Sequence, residues 1–191
     1  MRRVTLDQLR PPATEGLPAV EWGSDPATPA QLYERYDEQV AGATVAALRF
    51  LAEAEPAVTG DVRRSVPDGC RMHGLEFRMK SPGSLAAKID RKAEADPDAS
   101  PYDVSEKITD LLRYTAVAGS PGGVVSMARD TVRRLRRRGW DMVEAEHSYV
   151  PGNPYKGPAH RVEAPPDRPG GRGPVPLRGL DPGQGSVAPE L

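Results

Sequence analysis

The chain has 191 residues, with 26 Lys plus Arg against 27 Asp plus Glu and a formal net charge of -1. This length suits one ordinary domain with tails rather than two domains, and the balanced charge excludes a global basic excess for nucleic acid or anionic membranes. The single cysteine, Cys70, excludes an internal disulfide, and no apolar run reaches the ~20 residues of a bilayer span, so we expect a cytoplasmic protein without a membrane partner.

The N-terminal part of the chain divides into two segments. Residues 1–30 are rich in proline and small side chains, which favours a disordered arm. Over residues 31–56, apolar side chains recur at three- and four-residue steps. This spacing predicts an amphipathic N-terminal helix that begins after Pro29 and ends at Pro56.

Strand and helix patterns alternate over residues 57–163. The predicted elements are a strand from Gly74 to Lys80, a helix capped by Ser81 with Pro82 at its first position, a strand at 114–117, a helix over 120–139 and a strand over 140–150. Together they predict an α/β (α+β) fold in which a small mixed sheet is flanked by helices.

The segment from Arg78 to Lys88 joins a strand end, a turn and a helix start, and it carries three cations. Arg78 and Lys80 precede the turn, while Ser84 and Lys88 lie one helical turn apart on the same face. Backbone N–H groups and the positive end of the helix dipole favour phosphate at such a helix N-terminus. These four residues are therefore candidate phosphate ligands, with solvated cations at a strand edge as the alternative.

This segment resembles the synthetase domain of the RelA/SpoT family, whose motif Arg-x-Lys-x-x-x-Ser-x-x-x-Lys is matched at all four positions. Downstream, residues 108–117 are similar to the family's second core strand, which begins with a magnesium-binding Asp, here Asp110. Residues 153–157 are similar to its Asn-Gly-Tyr loop. The resemblance covers residues 71–160 and implies a nucleotidyltransferase-like synthetase core over 57–163, incomplete at its end.

The resemblance implies a nucleotide pyrophosphokinase, which transfers pyrophosphate from ATP to the 3′-hydroxyl of a guanosine nucleotide to make the tetra- or pentaphosphate alarmone. Asp110 is the implied catalytic carboxylate and Mg²⁺ ligand. The implied ATP-phosphate ligands are Arg78, Lys80, Ser84 and Lys88, and the implied acceptor ligands are Tyr155, which stacks on the base, with Asn153 and Lys156 beside it.

The resemblance leaves the acceptor and the partners open. Toxic members of the family use adenosine nucleotides or the tRNA 3′ end, and for tRNA the arginine-rich run 133–138 is a candidate contact, with a solvated helix end as the alternative. A homo-oligomer and an antitoxin partner also stay open. Many members carry an Arg five residues after the metal Asp, where this chain has Thr115 and the nearest arginine is Arg113.

The sequence after Lys156 changes abruptly, since Pro and Gly make up roughly two fifths of it. We expect residues 164–191 to be a disordered tail, so that the family's strand with a catalytic Glu-x-Gln pattern is missing. Reading the tail codons one nucleotide out of phase permits Glu-Val-Gln-Phe-His over residues 172–177. We therefore hypothesise a natural frameshift or a sequencing error near codons 157–158. A truncated, inactive relic that binds nucleotide without chemistry is the alternative to an active enzyme.

Overall fold

A computed structural model describes Trp22 and residues 25–147, 158–163 and 174–180. The helices are α1 (Pro29–Arg35), α2 (Glu38–Ser65), α3 (Pro82–Ala95), α4 (Pro101–Glu106) and α5 (Val124–Arg136). The strands are β1 (Arg71–His73), β2 (Tyr114–Val117), β3 (Asp141–His147), β4 (Pro158–Glu163) and β5 (Pro174–Leu180). The predicted α+β class is confirmed. In the described part of the chain, no helix has both the length and the apolar character needed to cross a membrane.

The strands form one mixed sheet in the order β1-β2-β5-β4-β3. β2 and β5 are parallel, and the other neighbouring pairs are antiparallel. Strand β5 therefore lies in the middle, where Leu177 pairs with Tyr114 of β2 and Val175 pairs with Val162 of β4. It supplies backbone partners to both neighbours, which would otherwise present open edges.

The position of β5 corrects the prediction for the C-terminal tail. Disorder over 164–191 is wrong for residues 174–180, because pairing on both sides of β5 outweighs a composition that is poor in β-formers. The other residues of the predicted tail lie outside the described part of the chain. The prediction that the sheet lacks this strand is wrong as well.

The predicted helix over residues 31–56 consists of two helices, and it does not end at Pro56. The helix is interrupted after α1, and the Asp37 side chain then caps the start of α2. Pro56 lies inside α2, where it removes one helical hydrogen bond. Val58 and Val62 are both buried on the following turns. Their burial holds the helix together past the proline, because tertiary packing supplies most of the stability of a helix.

The predicted strand from Gly74 to Lys80 is also wrong over most of its length. Strand β1 ends at His73, and Gly74 then enters the left-handed region with φ 62°. A short 3₁₀ turn over Leu75–Phe77 follows. Glycine adopts this backbone conformation without the steric cost that a side chain would add. The predicted α3 is confirmed, with Ser81 at its N-cap and Pro82 at its first position.

The core lies between the helices and one face of the sheet, and it includes part of the predicted arm. Its fully buried large side chains include Leu32, Leu48, Leu85, Ile89, Leu135 and Trp140. Trp22 joins this core with 8% exposure. Disorder is therefore wrong for Trp22 and residues 25–30, because the buried indole ties this segment to the core; residues 1–21 lie outside the described part of the chain.

Gly83 permits a close approach between the N-terminal segment and helix α3. A Cβ atom at position 83 would lie 1.7 Å from Asp25 Oδ2, and the Gly83 N–H points at the Asp25 carbonyl oxygen at 3.5 Å. We expect Gly83→Ala to push the Asp25 carboxylate aside and to lower the free energy of unfolding by about 1 kcal/mol in urea denaturation, the low end of overpacking costs, because a side-chain end moves more easily than backbone. Gly122→Ala, whose Cβ would meet nothing within 4 Å, is the control. Equal losses from the two substitutions would contradict this packing.

Pro176 is the second prolyl residue within the middle strand, where it pairs with Arg161 of β4. Proline has no N–H to donate to a ladder. We expect Pro176→Val to raise the free energy of unfolding by about 1 kcal/mol, the typical net value of one hydrogen bond. Pro121→Val is the control, because Pro121 begins a 3₁₀ turn and its N–H position needs no partner. A gain at Pro121, or none at Pro176, would argue against β5 as a central strand.

Candidate functional site

A short backbone bridge joins the chain before α3 to the chain before β2. Met79 and Leu112 form this antiparallel bridge, and both side chains are buried. Two hydrogen bonds flank it, from Lys80 N–H to Leu111 O at 2.9 Å and from Arg113 N–H to Arg78 O at 2.8 Å. The bridge therefore fixes the first two cations of the phosphate motif beside the segment that carries Asp110.

At the start of α3, the side chain of the N-cap residue does not cap the helix. Ser81 has the extended backbone of an N-cap, but its side chain makes no capping hydrogen bond. Its hydroxyl instead donates to Ser84 Oγ at 2.9 Å. The Gly83 N–H of this first turn points at the Asp25 carbonyl oxygen instead, and the exposed Ser84 lies on the same turn, where the positive end of the helix dipole favours an anion.

Two lysines of the motif converge on one carboxylate. Lys88 Nζ lies 2.5 Å from Asp110 Oδ1, and Lys80 Nζ lies 3.3 Å from Asp110 Oδ2. Asp110 retains 28% side-chain exposure, so the cluster is open to solvent on one side. The structure therefore brings together three residues that lie far apart in the sequence and that were predicted as a phosphate and metal site.

The electrostatics of this cluster follow from its partial burial. Burial tends to raise the pKa of Asp110, but the hydrogen bond from Lys88 and the charge of Lys80 hold that pKa below its ordinary value. For Lys80, burial lowers the pKa and the positive charges of Arg113 and Lys88 add to that effect, while Asp110 opposes it. A further anion beside these cations would relieve the repulsion that Asp110 leaves uncompensated.

Arg78, the first residue of the motif, pairs with a different carboxylate from the two lysines. Its Nε donates to Glu55 Oε1 at 2.5 Å, and its Nη1 donates to the Leu75 carbonyl oxygen at 2.6 Å. Glu55 belongs to α2 and was not identified from the sequence. The signal that could have identified it is its spacing, since this carboxylate lies at helical steps from Leu48, Leu51 and Ala52 on the buried face of the helix.

The remaining candidate residues are only partly covered by the structure. Asn153, Tyr155 and Lys156 lie outside the described residues. Arg113, the arginine nearest to Asp110 in sequence, contributes positive charge at Lys80. The resemblance expects an arginine at the position of Thr115. In this chain Arg113, two residues earlier, supplies positive charge to the cluster.

Asp110 fits a magnesium site only as one ligand among several. No group of three or more His, Cys, Asp or Glu side chains suited to a metal occurs among the residues that the structure describes. Mg²⁺ commonly binds one or two carboxylates and completes its shell with water and substrate phosphates. Asp110 suits that pattern, since its lowered pKa keeps it ionised at neutral pH. The remaining ligands would have to come from a bound nucleotide and water.

Comparison of the sequence with protein-family models matches none of them, and comparison with curated proteins finds no match. The functional argument therefore rests on the residues and geometry of this chain.

Asp110 links the stability of the fold to pH. Its pKa is lowered on folding, so its contribution is present above about pH 4, the ordinary Asp value, and is lost as the pH falls through the lowered folded value. We expect Asp110→Asn to lower the free energy of unfolding at pH 7 by about 1 kcal/mol, a modest value for a half-exposed pair, with the difference shrinking at pH 3.

The control is Asp98→Asn, at an exposed position of the connection before α4. Urea denaturation of the three proteins at pH 7, 5 and 3 measures the difference. A gap between wild type and Asp110→Asn that stays constant across this range would show that the ionised carboxylate does not stabilise the fold.

Proposed function

We propose that this chain is a RelA/SpoT-type nucleotide pyrophosphokinase domain, which binds the phosphates of ATP at the start of α3 and transfers pyrophosphate to the 3′-hydroxyl of a nucleotide. The observation that carries the proposal is the convergence of Lys80 and Lys88 on Asp110 beside the start of α3, where the N-cap residue makes no side-chain capping hydrogen bond. Cations, a helix terminus and one ionised carboxylate form the minimal set for binding a metal-bound polyphosphate.

The reaction requires few protein groups. The acceptor 3′-oxygen bonds to the β-phosphorus of ATP, the bond from that phosphorus to the oxygen shared with the α-phosphate breaks, and AMP leaves. The hydroxyl proton passes to a basic oxygen, for which Asp110 is the candidate within the cluster. Mg²⁺ would supply charge neutralisation at the transferred group. The phosphates would be bound and oriented by Arg78, Lys80, Ser84 and Lys88. The cytoplasm, which supplies ATP, is the proposed location of this activity.

Strand β5 favours a second candidate, nucleotide binding without turnover. The family resemblance implies a catalytic Glu in a Glu-x-Gln pattern on the second strand after the Tyr loop, and residues 174–180 contain neither Glu nor Asp. Loss of a general base typically slows a reaction by about 10²–10⁴-fold. The described contacts of the phosphate cluster come from α3 and from the segments before α3 and β2, so binding would survive such a loss.

The test incubates the purified full-length chain with γ-labelled ATP, Mg²⁺ and GDP, GTP, ADP or bulk tRNA. We expect label in a nucleotide product, and at least a ~100-fold loss with Lys88→Ala, because a half-buried carboxylate and a phosphate both lose their ammonium partner. Lys92→Ala is the matched control, one helical turn further along α3 and exposed, and it should stay within about twofold.

The outcomes separate the candidates. Transfer to tRNA alone would assign a tRNA-modifying toxin. Nucleotide binding by calorimetry without transfer would assign the binding protein, and a version restored to the alternative reading frame should then be active. The absence of both nucleotide binding and pyrophosphate transfer would overturn the pyrophosphokinase assignment.

A further inference from the structure

Glu55 is a buried carboxylate that lies behind the candidate site rather than in it. It belongs to α2, and its residue is only 5% exposed. A buried charge is costly unless it is paired and hydrogen-bonded. Burial tends to raise the pKa of Glu55, but hydrogen bonds from Arg78 and Thr59 hold that pKa below its ordinary value. Glu55 is therefore ionised at neutral pH and paired with the first cation of the phosphate motif.

The guanidinium of Arg78 is fixed on two sides by protein oxygens. Nε donates to Glu55 Oε1 and Nη1 donates to the carbonyl oxygen of Leu75, while the backbone carbonyl of Arg78 accepts from Arg113. Two acceptors in different directions define the plane of this rigid group. With 15% side-chain exposure, Arg78 has little freedom to reorient.

Glu55 is in turn held by a hydrogen-bond relay from the sheet. An ionised carboxylate only accepts hydrogen bonds, so the Thr59 hydroxyl must donate its proton to Glu55. Tyr114 Oη lies 2.7 Å from Thr59 Oγ1, and Tyr114 must then be the donor in that contact. Burial raises the pKa of Tyr114, which keeps its proton in place. The relay runs from Tyr114 on β2 through Thr59 to Glu55.

We infer that Glu55 is a positioning residue for nucleotide binding, which orients the Arg78 guanidinium before the nucleotide arrives. The lysines of the motif pair instead with Asp110, a half-exposed group inside the cluster, so a bound phosphate is free to exchange with that partner. Arg78 keeps its buried partner throughout. This inference rests on the proposed function, and it assigns Glu55 no contact with substrate.

The test compares Glu55→Gln with Glu53→Gln, which lies on the same helix but is exposed. We expect Glu55→Gln to raise the KM for ATP about tenfold with kcat changed less than about threefold, because a charge-assisted hydrogen bond to the nucleotide-binding arginine is weakened. Glu53→Gln should leave both constants unchanged. In an Arg78→Ala background, Glu55→Gln should add nothing further to KM, since it acts only through that arginine.

Thr59→Val and Thr59→Ser provide a milder test should Glu55→Gln fail to fold. Val removes the hydroxyl that supports Glu55 and should raise KM for ATP, while Ser retains it and should restore the wild-type value. A KM that is unchanged by Glu55→Gln, or additive effects with Arg78→Ala, would overturn the inference.

A second readout needs no catalysis. The Nε–H resonance of Arg78, identified by its loss in Arg78→Lys, should exchange slowly with water in the wild type and quickly in Glu55→Gln. Slow exchange in a wild type that neither binds nor turns over ATP would show that the contact exists and that the proposed function has failed. Fast exchange in the wild type would overturn the positioning role itself.

Discussion

The bridge between Met79 and Leu112 is the constraint on which the candidate site depends. It joins two segments that are more than thirty positions apart in the chain and sets the spacing between the phosphate motif and Asp110. Both bridge side chains are buried, so apolar packing fixes the register of the polar groups beside them. A shift of the bridge by one residue would turn these buried side chains to solvent and separate Lys80 from its carboxylate.

Helix α2 supports the same region from behind with two buried carboxylates. Glu55 holds the Arg78 side chain, and Asp61 accepts a hydrogen bond from Trp140 Nε1 at 3.0 Å, at the residue that precedes β3. These contacts tie one long helix to the segment before α3 and to the residue before β3. The passage of α2 through Pro56 is therefore consequential, because a helix that ended there would leave Asp61 and its tryptophan partner without a scaffold.

Local signals predicted the elements that depend on local chemistry. The Ser81-Pro82 start of α3, the spacing from Ser84 to Lys88 and the strand at Tyr114 follow from capping, helical period and β-propensity, and all were found. Pro56 and Trp22 were misread because their environments are set by residues far away in the sequence. Glu55 was missed for the same reason, since its partner Arg78 is 23 positions away.

Strand β5 shows the opposite conflict between sequence and position. The sheet order places residues 174–180 between β2 and β4, where a strand must donate and accept on both sides. Pro174 and Pro176 remove two donors from that strand, and Gly179 contributes no side chain to packing. The central position of β5 requires backbone donors that its prolines do not have, so the sequence of this segment conflicts with its place in the sheet. A shifted reading frame would produce such an inconsistency, because the out-of-phase codons permit residues other than proline over 174–177 and a carboxylate over codons 172–173. Restoring that frame would return the ladder donors and add a carboxylate directly before the strand, so one change would alter both the stability of the sheet and the proposed chemistry of the site.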